Sequence, residues 1–343
     1  MRRDLSALDG RPFDLVVVGG GIHGAAVARD AALRGLAVSL LERDDFGAGT
    51  SGNSLGIVHG GLRDLKAADV ARLRLMAAER RAWLTIAPHL VRPLPVLVPF
   101  GGRRRPGRAA LAAALPLHDL LTADRNRGVA ADRHVPRGRL LGRAETLGRA
   151  PWLAPDVEGA ALVHDARMLD PDRLTLAVVR GAVEAGAVVA NRVEATGLRL
   201  ARGRVAGVTA RDRLSGRDLD VRARVVVNAA GPWADWAGVR VAGPLALAMN
   251  VVLRRPGLAG ETAVALPGDG TRLYFLAPWG DGAVSLGTGY WPHGPAPASV
   301  APDAETVRSL LAQLGRSLGE PLAEDDVTRV LAGLLPCRPG TAE

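Results

Sequence analysis

Three glycines, Gly19, Gly21 and Gly24, stand in GxGxxG spacing, and an acid, Glu42, follows eighteen residues after the last. That combination can hold a dinucleotide. Gly19 permits a tight turn, Gly21 lets the backbone approach a pyrophosphate, and Gly24 allows a helix to pack closely on a strand. A helix N-terminus offers free N–H groups and a positive dipole end to the same phosphates. Glu42 sits where a carboxylate accepts hydrogen bonds from a ribose 2′-hydroxyl and repels a 2′-phosphate, which favours NAD or FAD over NADP. Downstream, Asp45 to Arg63 (DFGAGTSGNSLGIVHGGLR) is rich in glycine and small hydroxyl residues, suited to close polar contact with a pyrophosphate and a flat polar ring.

Positioning such groups needs a βαβ unit, and one is legible. Phe13 to Val18 is a β-branched apolar run that predicts a buried parallel strand. Ile22 to Leu33 has helical periodicity with Gly35 as a C-cap, and Ala37 to Leu41 predicts a second strand ending at Glu42. A long helical pattern from Ala67 ends at Ile86, before Pro88. Farther on, LALAMNVVLRR, TRLYFLAP and GAVSLGTG are short strand-like runs between Gly/Pro turns, which predicts an antiparallel sheet. DAETVRSLLAQLGRSL, after a Pro-rich loop, predicts a helix.

Composition bounds the rest. A chain of 343 residues, 48% hydrophobic, can bury a sizeable core and predicts two domains. The single cysteine, Cys337, excludes a disulfide framework and a Cys-rich metal site, so no metal is expected and a reducing, cytoplasmic setting fits. The N-terminus has no apolar core behind its basic residues, so no signal peptide is expected, and no apolar run is long enough to span a bilayer. A net charge of +9 raises nucleic-acid binding. Scattered arginines, 3% aromatics and no stacking platform argue against it. The one dense cluster, Arg103, Arg104, Arg105 and Arg108, precedes the apolar stretch 109–121, which suits peripheral contact with the inner face of an anionic membrane; a solvated loop beside a core helix is the alternative.

Beyond the βαβ unit, TSGNSLGIVHGGLRDL (50–65), VVVNAAGPWAD (225–235), APHLVRPLPVLVPF (87–100), LPLHDLLTADRN (115–126), DARMLDPDRLTLAVVRGAVEAGA (165–187), LYFLAPWGDGAVSLGTG (273–289) and DDVTRVLAGLLP (325–336) together resemble the FAD-dependent glycerol-3-phosphate dehydrogenases of the D-amino-acid oxidase superfamily. The HGGLR and APHL segments are the more specific signals.

The resemblance implies an α/β fold: a Rossmann-like FAD-binding domain (1–87 and 151–243), an inserted α+β substrate domain with an antiparallel sheet (88–150 and 244–325), and the start of a further FAD-domain segment (326–343) whose usual strand, glycine pair and final helix are missing. It implies FAD in an extended pose, hydride transfer from a small hydroxy substrate to flavin N5, and a quinone or other electron acceptor. By match to the family pattern, Gly19, Gly21, Ile22, His23, Gly24, Glu42 and Arg43 would hold the ADP half. Thr50, Ser51 and Ser54 would take the pyrophosphate and ribityl region, His59, Gly60 and Gly61 the ring, and Val193, through its backbone, the adenine. Ala229, Ala230 and Gly231 would close over the cofactor. His59, Arg63 and Arg272 would face the substrate.

Residue by residue, plainer readings stand beside these. His59 can be a packed histidine bonding a carbonyl, Arg63 can pair with Asp64 or Asp69, and Arg272 can be a solvated strand-edge arginine. Of the acids Asp165, Asp170 and Asp172, helix N-capping explains the last two. Gly56, Asp64, Leu247, Asn250, Leu335 and Tyr290 replace residues that the family uses in its substrate site, several of them cations. Glycerol 3-phosphate is therefore expected to serve poorly, and an amine or amino-acid oxidase or a non-catalytic flavin-fold remnant stand as alternatives.

Overall fold

A computed structural model of the chain describes residues 3–62, 68–101, 106–153, 155–240, 243–268, 272–297 and 299–337. Its strands, in order, are β1 (Phe13–Val18), β2 (Val38–Leu41), β3 (Ile57–Val58), β4 (Val91–Phe100), β5 (Arg139–Gly142), β6 (Gly159–Met168), β7 (Val188–Ala190), β8 (Val193–Ala201), β9 (Arg204–Asp212), β10 (Asp218–Asn228), β11 (Leu245–Arg254), β12 (Ala263–Pro267), β13 (Leu273–Gly280), β14 (Ala283–His293) and β15 (Val327–Pro336). They build two sheets.

The first sheet runs β7-β2-β1-β10-β9-β8. Its centre is parallel, because β1 and β2 are joined by the helix Ile22–Leu33, a crossover that returns the chain in the same direction. The predicted strand–helix–strand unit is present, with the second strand starting one residue later than expected. Alanines 25, 28, 31 and 32 form the buried stripe of that helix, and they pack with Val178, Val179 and Ala182 of the helix Pro171–Glu184 over β1 and β2. Small side chains let both helices lie low on the sheet. The opposite face, with Val16, Val18 and Leu41, packs against Val193, Val208 and Val221 from the antiparallel β8-β9-β10 strands. Long β10 serves both halves: Asp218–Arg222 pair with β9, and Ala223–Asn228 pair with β1.

The second sheet runs β15-β11-β14-β13-β12-β4-β6-β3, with β5 added on β6. The expected antiparallel runs are its centre, as β11, β14 and β13. One face carries the helix Ala304–Leu318, whose Leu310, Leu311 and Leu314 pack on Leu247, Met249 and Val251. The other carries the helix Arg108–Leu121, with Leu111 and Leu115 against Leu94, Val96 and Val163.

Two ladders of the second sheet run across the boundaries drawn from the sequence. Residues 159–168, allotted to the nucleotide-binding part, form β6 and pair along ten positions with β4 of the second sheet. Residues 327–336, expected to open a further FAD-domain segment, form β15 and pair with β11. In both cases the ladder is long and antiparallel, and a local pattern in the sequence says nothing about which distant strand accepts it.

Candidate active site

The glycine turn leaves no room for side chains at Gly19 and Gly24. A Cβ on Gly24 would lie 1.9 Å from the Gly19 carbonyl oxygen, and Gly19 itself holds φ +107° with the Ala229 backbone directly opposite. Helix Ile22–Leu33 therefore starts hard against β1 and the 229–231 turn, and Ala229 N–H donates to Val18 O at 2.8 Å. Glu42, at the end of β2, accepts the Gly20 N–H at 2.6 Å on one oxygen and the Asp44 N–H at 2.7 Å on the other. Burial raises its carboxyl pKa although both bonds pull the other way. A carboxylate has about four acceptor positions, so two amide bonds leave capacity for ribose hydroxyls.

From Glu42 a single loop crosses the helix N-terminus to the second sheet. Ser51 Oγ accepts the Ile22 N–H at 2.9 Å, and Thr50 Oγ1 donates to Leu334 O of β15 at 2.8 Å. Ser54 Oγ is buried without a partner among the described residues. Arg43 packs 4.7 Å from the centre of the Trp233 ring and bonds Asp44, while His23 lies exposed on the first helical turn. The Val193 N–H donates to Glu42 O at 2.8 Å, which commits one of the two backbone groups expected to read an adenine.

The loop ends in β3 and the His59-Gly60-Gly61 segment, which stands on a buried polar cluster. His59 Nδ1 lies 3.0 Å from Asp165 Oδ2, and Gly60 N–H donates to Asp165 Oδ1 at 2.7 Å. Beneath them is Arg80, 1% exposed, bonded through Nη1 to His164 O and 3.8 Å from Asp165 Oδ1. Its Nε and Nη2, like His164 Nδ1, find no partner among the described residues. His118 Nε2 approaches Gly60 O at 3.2 Å, and Phe275 of β13 closes the other side of His59 with ring centres 5.4 Å apart. Glycine at 60 lets the backbone lie against Arg80, since a Cβ there would meet Arg80 Nη1 at 1.9 Å and the guanidinium would have to shift.

Electrostatics follow from that packing. Burial raises the Asp165 pKa, but the His59 bond, the His59 and Arg80 charges and the Gly60 N–H outweigh it and hold the carboxyl below its usual range. Burial lowers Arg80 and His118, and together with the Arg80 charge it brings His164 down to about 4. The cluster is thus one carboxylate, one guanidinium and two neutral imidazoles below His59.

Of the substrate-facing residues expected, Arg63 lies outside the described residues, as do Asp64 and Arg103 to Arg105. Arg272 is half-buried at the start of β13, and its carbonyl accepts the Gly268 N–H at 2.9 Å. Asp170 is the N-cap of the helix Pro171–Glu184, as the capping reading expects, bonding the Asp172 and Arg173 N–H groups. Asp165 departs from the other two acids, and neither it nor Arg80 was singled out as a site residue from sequence. The replaced positions carry no cation: Leu247 lies in the apolar core, Asn250 is 3% exposed and accepts from Thr288 Oγ1 at 2.7 Å, and the Gly56 carbonyl accepts the Met168 N–H.

Comparison with known proteins places this geometry. Residues 14–342 match the family described as FAD dependent oxidoreductase. Glycerol-3-phosphate dehydrogenase 1 of Mycobacterium tuberculosis is 34% identical over 342 residues, 97% of this chain and 64% of the relative. The alpha-glycerophosphate oxidase of Streptococcus pyogenes is 37% identical over 240 residues, 68% of this chain and 38% of the relative. Among solved structures, glycerol-3-phosphate dehydrogenase from Bacillus halodurans, complexed with FAD, superposes with TM-score 0.75 at 27% identity, covering 97% of this chain and 58% of that one. The chain therefore spans somewhat less than two thirds of these dehydrogenases. Glycine oxidase from Bacillus cereus, at 19% identity and TM-score 0.64, shares the fold.

Proposed function

The chain belongs to the FAD dependent oxidoreductase family, and from that premise we propose that it binds FAD and oxidises a small hydroxy compound. The observation that carries the reading is the glycine turn, closed to a side chain at Gly19, Gly20 and Gly24, with the Glu42 carboxylate beside it. The residues fit the cofactor. Gly19 to Gly24 and the helix N-terminus suit the pyrophosphate, Glu42 the ribose, and the orphaned Ser54 hydroxyl a polar group of the linking chain. Ala229 to Gly231 flank the turn, and His59 to Gly61 suit the ring. When bound, the flavin supplies the oxidant that accepts a hydride from a substrate C–H. This chain's part is to exclude water, orient the substrate and take its hydroxyl proton, the last at His59.

The substrate we favour carries less charge than a phosphate ester. Leu247, Asn250, Leu335 and Gly56 offer no cation, leaving Arg63 and Arg272 as anion partners, and a buried dianion loses several kcal/mol, on the order of 10²-fold or more in affinity, when such partners are removed. Anaerobic bleaching of the flavin against polyol phosphates, hydroxy acids and amines tests this. Rapid, saturable bleaching by micromolar glycerol 3-phosphate contradicts the substrate choice, release of ammonia from an amine moves the chain to the amine oxidases, and colourless purified protein contradicts the flavin reading.

Electrons would leave to a quinone or another acceptor, with the basic cluster and helix Arg108–Leu121 resting on an anionic bilayer. No described helix is long and apolar enough to cross a membrane. Leu117 and Leu120, 46% and 73% exposed, give that helix an apolar outer edge. Binding to anionic vesicles should fall as salt rises, since exposed charges are screened over about 10 Å at 0.1 M. Binding indifferent to lipid charge and salt would point to a solvated loop.

A further inference from the structure

The inner edge of the His59 ring meets a single group. Asp165, from β6, lies 106 positions along the chain and reaches His59 Nδ1 at 3.0 Å. Its second oxygen holds the Gly60 N–H at 2.7 Å, so ring and following peptide are fixed by one carboxylate. That carboxylate is 13% exposed, and Arg80, 1% exposed, backs it from the side away from His59 at 3.8 Å. The ring's own freedom is further limited by Phe275, tilted 56° against it at 5.4 Å.

We propose that Asp165 is the positioning residue of the site: it fixes His59 as the tautomer with the proton on Nδ1, leaving Nε2 bare toward the substrate. This rests on the flavin-dehydrogenase reading given above. An ionised carboxylate accepts hydrogen bonds and donates none, so a neutral imidazole facing it must present N–H from Nδ1. Nε2 then holds the ring's free lone pair. The step balances: the substrate O–H bond breaks and an N–H bond forms at Nε2, while the C–H bond breaks with its hydrogen and electron pair leaving together as a hydride for the flavin-class oxidant, and the C–O bond becomes C=O. The positive charge that develops on the ring faces a carboxylate already bonded to it, so the stabilisation requires no reorganisation. The His59 hydrogen bond, supported by Arg80 and the Gly60 N–H, keeps Asp165 ionised, and the Gly60 N–H keeps the carboxylate from rotating off the ring. His118 and His164 complete the surroundings, bonding or flanking the same peptide from the helix Arg108–Leu121 and from β6.

A purely structural Asp165, holding the Gly60 peptide and nothing more, makes different predictions. In Asp165→Asn the amide oxygen can still accept from Gly60, but its NH₂ must face Nδ1, which drives the proton to Nε2. Long-range ¹⁵N–¹H correlation spectra of histidine-labelled protein, with the His59 signals identified by their loss in His59→Gln, read the tautomer directly. We expect Nδ1–H in the unsubstituted protein and Nε2–H in Asp165→Asn. Flavin reduction in the same variant should lose kcat on the order of 10³-fold, with KM changed less than about threefold, and Asp165→Glu should recover part of it. Nε2–H in the unsubstituted protein, or the same tautomer before and after substitution, overturns the proposal. The first of these does not require Asp165→Asn to fold. If no substrate bleaches the flavin, the functional reading fails while the tautomer measurement still decides the role of Asp165.

Discussion

The glycine turn and the His59 cradle anchor two stretches of one loop by opposite means. At the turn, side chains are absent and the backbone touches backbone: Gly24 against Gly19, and Gly19 against Ala229. At the cradle the backbone rests on charged and aromatic side chains brought from two helices and two strands, with buried donors that find no partner among the described residues. Steric exclusion gives the first region a rigid shape that any ligand must accept. Electrostatic support gives the second a protonation pattern, which shape alone cannot supply, and which acid can undo.

Substitution should separate the two, beginning with the largest effect. In Gly24→Ala the new methyl meets a backbone carbonyl that cannot swing aside, so we expect a loss of about 3 kcal/mol in stability together with the loss of flavin binding. Denaturant unfolding within 1 kcal/mol of the unsubstituted protein would erase the steric side of the contrast.

Glu42→Ala should weaken FAD by about 1.5–3 kcal/mol through lost charge-assisted bonds. Equal flavin affinity by titration would remove the carboxylate from the site.

The cradle should respond to pH instead. His164, held at about 4 when folded, is neutral in the native protein, so its contribution is present above about 6.5 and is lost as pH falls from there through about 4. His164→Gln should therefore flatten the decline of thermal stability across that window, by on the order of 2 kcal/mol. Parallel melting curves for both proteins from pH 7 to pH 4 would contradict the burial argument.

The smallest effect belongs to Gly60→Ala. Its methyl meets the end of a side chain, and Arg80 can yield where a carbonyl cannot, so about 1 kcal/mol is expected. A loss matching that of Gly24→Ala would mean the two regions are equally rigid.

The same contrast explains what sequence could reveal. The three glycines, the helix Ile22–Leu33 and β2 lie within thirty residues, so spacing alone located them, whereas Ala229 comes opposite Gly19 only through the pairing of β10 with β1. The cradle is assembled from positions 59, 80, 118, 164, 165 and 275, whose proximity depends on how β6, β13 and two helices pack. Arg80 and Arg81 show the difficulty. They are adjacent and identical, yet helical rotation of about 100° per residue turns Arg80 into the core and leaves Arg81, 28% exposed, on Asp124. Asp165 likewise reads as one of three acids before a helix, and only the pairing of β6 with β3 brings it under His59. β6 and β15 likewise pair with strands that no neighbouring residue announces.

Thr50 is bonded to Leu334, 284 positions later. On a ribosome the βαβ unit can condense early from local contacts, whereas closing so long a loop must await the last described strand. The phosphate-facing loop is thus latched only when β15 has joined β11. Flavin capture should come only after β15 has been made, and a nascent chain stalled before residue 327 should carry the glycine turn while holding no colour.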